Sequence, residues 1–570
     1  MTTQNHTLTI TSVAALAAVI VIWLVPSGDG PPELRDVAAA LGAEIEQTEL
    51  GDRPPATPVT RFDGLGVGFE GPHGPWTGRN PSDNSLAVGP DHIVQIVNTR
   101  MAMFTKTGER FDTTGAVLYG PVPTHTVFHG FGGTCEARNN GDAVVRYDQL
   151  AGRWLIVMPI FRRSPRRPDQ PEPWQASERV YLSPPGVRDQ PGPATPLFVP
   201  PPAPRAPPAE AARPETAERR APRTPPPEEE GPYSMCYAVS TGPDPLGSYY
   251  RYEFLRPLFP DYPRPAVWPD GYYVPTSTGD DVVQKHACVA DRRRMLAGEP
   301  ATEQCFVIDG VNFLNNADLD GPSLPPAGSP NIMMATGGRQ LVGDFDDDGI
   351  SVWRFHVDWE TPADTRLIGP DTIRVAPYRY LCDGQLTNCV RQPGTDRHLD
   401  AQGDKLMARV VYRNVNGRES IVAVHSVATL VGGGGVRWYE FTVAADRTVH
   451  LRQQGTYAPD RFYRWMASPA IDRLGNIGIA FSFGGTPHFT GQRFAGRLAD
   501  DPLGLLTLQE AVLVEGEGAQ TNTLRWQDYT QTAVDPADDC TIWYSGDYYK
   551  KGATTYSTRI GAFRLPGCAS

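Results

Sequence analysis

The chain is poor in lysine: Lys106, Lys285, Lys405, Lys550 and Lys551 are the whole set. Arginine supplies the remaining basic charge, and 52 basic residues against 65 acidic ones leave a formal net charge of -13. A nucleic-acid binder needs a basic field to displace counterions from phosphates, so this balance excludes that class of partner. Several catalytic signatures are also missing. There is no G-x-S-x-G elbow, no H-E-x-x-H pair and no Walker loop, which removes the reactions built on them. No C-x-x-C occurs either, and eight scattered cysteines do not make a thiolate metal site. Long helix-forming stretches are scarce, because 57 Gly and 57 Pro interrupt the chain.

What is present points to strands and to export. Val, Thr, Tyr, Phe and Trp cluster in short runs suited to pleated, half-buried surfaces, which sets the expectation of an all-β fold. Residues 13–25 form an uncharged apolar run at the extreme N-terminus, read as a signal peptide or a membrane anchor within residues 1–25. The site after it is a poor match to small-x-small cleavage, so both readings stand. Residues 26–62 are Pro-rich and acidic and read as a tether, with one short amphipathic helix over 32–50. The body is expected over 63–568. It is interrupted at 162–231 by a Pro/Arg/Glu-rich insertion whose composition cannot bury enough apolar surface to order itself. An even cysteine count in an exported chain predicts an oxidised framework. Cys382 with Cys389, Cys288 with Cys305, and Cys540 with Cys568 bracket short segments, which leaves Cys135 with Cys236.

Strand hairpins recur along the body. Residues 468–480 (SPAIDRLGNIGIA), 532–544 (TAVDPADDCTIWY) and 85–95 (SLAVGPDHIVQ) each read as an apolar strand, an Asp/Gly/Pro turn and a second apolar strand. Weaker copies lie at 143–157, 265–273 and 407–422, and another begins near Ile332. Their spacing predicts a β-propeller of seven four-stranded blades, with six or eight as neighbouring counts. Tandem β-sandwiches explain the strands but not the recurrence. Four segments, GDAVVRYDQLAGRW (141–154), AVSTGPDPLGSYY (238–250), DYPRPAVWPDGYY (261–273) and RWQDY (525–529), resemble a family of secreted bacterial β-propeller-like proteins of unassigned activity. The resemblance implies the fold and export; it carries no catalytic residues.

In a propeller the first strand of each blade lines the central channel, and the residues just before it reach one mouth. Asp83, Asp142, Asp261, Asp404 and Asp528 hold such positions, joined by the Arg464-Trp465 and Arg525-Trp526 pairs. Converging carboxylates bind a cation or raise one another's proton affinity, and a polar mouth with aromatic residues suits sugars. Turn-capping by each Asp is the competing reading. Asp344, Asp346 and Asp348 precede Gly349 at the alternate spacing of a calcium loop, although Phe355 stands where an EF-hand needs Glu; Ca2+ is the cofactor they point to. Residues 316–321 carry a similar acidic pattern. His356 with Asp358 forms a same-face pair, and His398 and His425 are candidate acid/base groups for a lyase. Two functions are expected: an exported, surface-displayed or secreted module recognising glycan or protein, or an extracellular glycoside hydrolase or lyase using mouth carboxylates. A monomer is expected, touching the membrane only through its N-terminal segment.

Overall fold

A computed structural model describes residues 42–161, 181–182, 195–196 and 233–568, apart from 257, 278–283, 312, 338–347 and 385–387. The expected leader at 1–25, and all but two short strands of the expected insertion, lie outside the described residues. Those two strands, Tyr181–Leu182 and Thr195–Pro196, pair with the edges Glu303–Asp309 and Ser248–Arg256.

The chain folds as antiparallel meanders arranged as a β-propeller. The first strands are Ser85–Val88, Val144–Asp148, Ala266–Trp268, Asn315–Leu319, Val410–Val415, Tyr463–Ile471 and Gln531–Val534. They neighbour one another in that order and return to the start. Apolar residues dominate both faces of these strands because neighbouring sheets cover each face. Trp154, Trp268, Trp438, Trp465 and Trp526 fill the spaces between sheets and are fully buried.

Seven separate blades are not what the hydrogen bonds define. Four sheets stand alone as blades rather than seven, and the other meanders merge into one sheet of thirteen strands. The merger has a local cause. Ala317, Asp318 and Leu319 pair in parallel with Val410, Val411 and Tyr412, and Gly434 pairs with Tyr463, so ladders run across what would have been gaps. The predicted hairpins at 468–480, 532–544 and 85–95 are first-to-second strand pairs. The anchor placed near Ile332 is a second strand instead; its first strand is Asn315–Leu319.

The tether reading needs correction for residues 42–62. Thr57–Asp63 pairs with Ser557–Arg564 and completes the last sheet, so strands from both ends of the chain close the ring. Glu46–Gln47 pairs in parallel with Thr456 and Tyr457, and Gly42 leads into a single 3-10 turn, Ala43–Ile45, where the amphipathic helix was expected. Backbone pairing available at the sheet edges outweighs the weak helical preference of so short a segment.

All eight cysteines are oxidised, as Cys135–Cys236, Cys288–Cys305, Cys382–Cys389 and Cys540–Cys568. Such a set marks folding in an oxidising, extracellular-type environment. Among the described residues no helix is long and apolar enough to cross a membrane.

The propeller axis is plugged by charge. Arg409 Nε donates to Asp318 Oδ2 at 2.7 Å, and its guanidinium also binds Asp320 Oδ1. Arg146 Nε lies 3.0 Å from Asp318 Oδ2, and Arg146 also donates to Gln531 Oε1. The carboxylates take backbone partners as well: Val267 N donates to Asp318 at 2.9 Å and Ile471 N to Asp320 at 3.0 Å. The acidic segment 316–321, expected to resemble a calcium loop, therefore spends Asp318 and Asp320 on arginine.

Removing one member of a buried ion pair leaves the other charged and uncompensated, which costs about 3–5 kcal/mol. Arg409→Met is expected to lower unfolding stability by that amount in a urea titration. Arg379→Met, which breaks an exposed pair with Asp383, is expected to leave it unchanged. Equal effects from the two variants would show that the axial network carries no special share of stability.

Candidate functional site

At one end of the axis lies a cavity of about 280 Å3. Four of the five predicted carboxylates line it, Asp83, Asp142, Asp261 and Asp528, together with Arg525. The rings of Phe161, Phe259, Tyr262 and Phe313 line it as well, with Asn98, Gln402 and Lys405.

The turns that enter the first strands build this mouth. Asp83, Asp142, Tyr262, Phe313, Gln402 and Asp528 all adopt left-handed backbone, with φ of 47°, 52°, 52°, 24°, 47° and 66°. That region costs a non-glycine residue free energy, of order 1–3 kcal/mol, and is held only where surrounding structure enforces it. Here all six line the cavity, Gln402 well ahead of its strand and the others within four residues of theirs. The carboxylates thus do more than cap turns, although Asp261 does accept from Tyr262 N at 2.9 Å.

The remaining mouth candidates are placed elsewhere. Arg464 is buried and ion-paired with Asp460 at 2.9 Å and Glu510 at 2.5 Å. Trp465 and Trp526 are core residues whose rings lie 6.3 Å apart, and Trp526 donates to Ser482 Oγ at 3.0 Å. Asp404 is buried behind the wall, 3.4 Å from Lys405 Nζ. Of the calcium-loop candidates, Asp344 and Asp346 lie outside the described residues; Asp348 is buried just before the strand Gly349–His356. His356 and Asp358 form no pair, because Asp358 Oδ1 accepts from the backbone of Glu360 and Thr361 at 2.9 and 2.7 Å. His425 is buried against Tyr439, with Nε2 and Oη 2.9 Å apart, and burial holds its ring well below the usual histidine range. His398 lines a separate, open hollow with Asp396 and Arg397. Neither histidine faces the mouth.

Charge is unevenly shared inside the cavity. Arg525 binds Asp528 with both arms, Nε to Oδ1 at 2.9 Å and Nη2 to Oδ2. Lys405 donates to Gln402 and stands 3.6 Å from the Phe313 ring centroid. The charges of Asp83 and Asp261 act on the carboxyl of Asp142. Burial pushes Asp83 up to about 6, against the pull of Arg525 and of hydrogen bonds from Asp142 and Asn98. Burial raises Asp142 further, and the negative charges of Asp83 and Asp261 add to the effect; Arg264 opposes it. Arg264 itself lies 4.4 Å over the Tyr529 ring centroid, and burial brings it down to about 9.

The sequence reading missed Asn98, Gln402, Lys405 and the four aromatic rings. A usable signal existed for part of the set: Tyr262, Phe313 and Gln402 hold the left-handed pre-strand position that Asp83 and Asp142 hold in their meanders. A search restricted to acidic residues passes over them.

No family model matches the chain, and no curated protein matches it. Among solved structures, a protein of unknown function from Dyadobacter fermentans is 10% identical, with a TM-score of 0.34 over 90% of this chain and 100% of that one. An ulvan lyase described as a new family of polysaccharide lyase is 9% identical, with a TM-score of 0.32 over 90% and 95%. The polysaccharide lyase Uly1 is 8% identical, with a TM-score of 0.34 over 91% and 100%. Likeness at this level carries no functional inference, so function is read from the mouth itself.

Both raised carboxyls bind their proton more tightly in the folded than in the unfolded chain, where the ordinary value is ~3.9. Their contribution to stability is complete below that value. It is lost as pH rises through about 6 for Asp83, and higher for Asp142. Asp142→Asn is expected to lose less stability than the natural chain between pH 5 and 8, measured by urea unfolding in chelator-containing buffer. Parallel pH profiles would mean that Asp142 is ionised throughout.

Proposed function

We propose that this protein is an exported propeller, secreted or displayed at the cell envelope, that binds the end of a glycan chain in the axial mouth. The observation that carries the reading is the composition of one cavity. The aromatic rings among its lining residues offer faces to the C–H surface of a sugar ring, while the carboxylates, amides and lysine beside them offer hydrogen bonds to its hydroxyls. At about 280 Å3 the cavity suits one or two sugar units and not an extended chain. The net charge of the chain fits a neutral or basic glycan better than a polyanionic one.

A second reading, glycoside cleavage, is favoured by one feature. Burial and the like charges of Asp83 and Asp261 raise the proton affinity of Asp142, whereas Asp528 is bound by both arms of Arg525. Two carboxyls in opposite environments are what an acid and a stabilising carboxylate require.

Glycan-array binding by the purified chain tests the first reading. Retention of a defined set of glycans is expected, weakened about 5–10-fold by Phe259→Ala, corresponding to roughly 1–1.5 kcal/mol of lost ring contact. No retained glycan, or retention unaltered by Phe259→Ala and Asp528→Asn together, would remove the mouth as a binding site. Turnover of any array hit, abolished by Asp142→Asn with binding kept, would replace the binding reading by the hydrolytic one.

A further inference from the structure

We propose that the mouth selects a cationic sugar, a glycan end whose terminal unit carries a free, unacetylated amine. The proposal rests on the glycan reading above and names the class of sugar. It starts from how charge is paired around the cavity. Of the four aspartates in the lining, Asp528 is bound by both arms of Arg525. Among the described residues, no arginine, lysine or histidine nitrogen stands at ion-pairing distance from Asp83, Asp142 or Asp261. Lys405, the other basic residue of the lining, is engaged by Gln402 and by Asp404, 3.4 Å away. Arg264, whose charge reaches Asp142, donates to the carbonyl of Pro263 at 2.8 Å and lies over the Tyr529 ring. Asp142 and Asp261 line the cavity and are only half-buried. An entering ammonium supplies the positive charge that these carboxyls lack.

Two further observations point to an amine. Asp83 is 1% exposed; Asn98 donates to its Oδ2, while its Oδ1 receives no hydrogen bond from any N–H or hydroxyl among the described residues. A buried acceptor left without a donor is rare in folded proteins and calls for one. The second observation is aromatic. Four rings line the same cavity, and one of them, Phe313, already holds an ammonium, with Lys405 Nζ 3.6 Å from its centroid. Carboxylates beside aromatic faces are the combination that recognises ammonium groups, through charge-assisted hydrogen bonds and cation–π attraction. The N–H bonds of an ammonium diverge, so it serves carboxylates that stand apart. Acetylation removes the charge and most of these donors, and a hydroxyl brings no charge at all.

The full-length chain is titrated by calorimetry at pH 6.5 with a glucosamine trimer and, separately, with the N-acetylglucosamine trimer. The free amine is expected to bind about tenfold more tightly, the scale of one desolvated cation contact. Raised ionic strength should narrow that preference. Asp261→Asn should abolish it, with Asp83→Asn in its place if that variant does not fold, and Asp396→Asn, in the separate open hollow, should preserve it. Equal binding of the two trimers, tighter binding of the acetylated one, or a preference kept in the Asp261 and Asp83 variants overturns the proposal. So does binding of neither trimer while neutral glycans are retained on the array, an outcome that leaves the glycan reading in force. Only an array on which no glycan is retained removes both.

Discussion

The fork of Arg409 between Asp318 and Asp320 is the contact on which the rest of the molecule turns. It joins the meander that begins at Val410 to the one that begins at Asn315, and Arg146 ties a third meander to the carboxylate of Asp318. Dehydrating four charges is expensive, and a buried ion network stabilises only when every charge also finds hydrogen bonds. Here it does: Val267 and Ile471 donate backbone N–H groups to the carboxylates, while Pro265 and Thr532 accept from the guanidinium groups. Six first strands are thereby held in one register about the axis. The sheets could pack face to face without this network, but nothing would specify which residue of each strand meets the centre.

The mouth uses the same residue types under the opposite rule. At the axis two arginines meet two aspartates and the account is neutral. Above it, Asp83, Asp142 and Asp261 crowd together with Arg264 beside them. A stabilising arrangement would not leave like charges facing one another. Those of Asp83 and Asp261 raise the proton affinity of Asp142, so the mouth stores a demand that the axis has already satisfied. The left-handed turns that present these side chains add strain in the same place. Strain and uncompensated charge coincide in one small cavity, away from the neutral axis.

Much of this was legible in the sequence. Hairpins signalled by apolar runs around Asp/Gly/Pro turns were found where the pattern put them, and cysteine proximity along the chain gave three disulfide pairs and, by elimination, the fourth. Local chemistry decides such features, and a sequence records local chemistry. What depended on partners far along the chain was not legible. Asp318 and Asp320 look like cation ligands until Arg409, some 90 residues on, takes them. Residues 42–62 look like a tether until a C-terminal strand offers Thr57–Asp63 an edge. Arg464 and Trp465 look like a binding pair until Glu510 and the packing of Trp526 draw them into the core. Four aspartates at the mouth were found because they share a position relative to their strands, a local property. Asp404 failed the same test because residues 402–409 run on before the strand Val410–Val415 begins, which hands the mouth position to Gln402.

That substitution shows how the mouth is specified. One backbone device, a left-handed residue ahead of a first strand, recurs around the ring, and the side chain installed there differs from meander to meander: Asp83, Asp142, Tyr262, Phe313, Gln402 and Asp528. The frame is set by the axial charges and the sheets, neither of which needs to change when a mouth residue does. Replacing Asp142 or Gln402 changes the lining of the cavity and none of the contacts that set the register of the strands below. In the strand Tyr463–Ile471 the left-handed residue is Met466, buried within the strand, so that meander contributes packing in place of chemistry. The division follows from geometry: the six left-handed residues ahead of first strands line the cavity, whereas residues within those strands face the axis or another sheet. Chemical variety at the mouth is therefore concentrated in a few pre-strand positions carried by a scaffold that charge pairing and disulfides hold fixed.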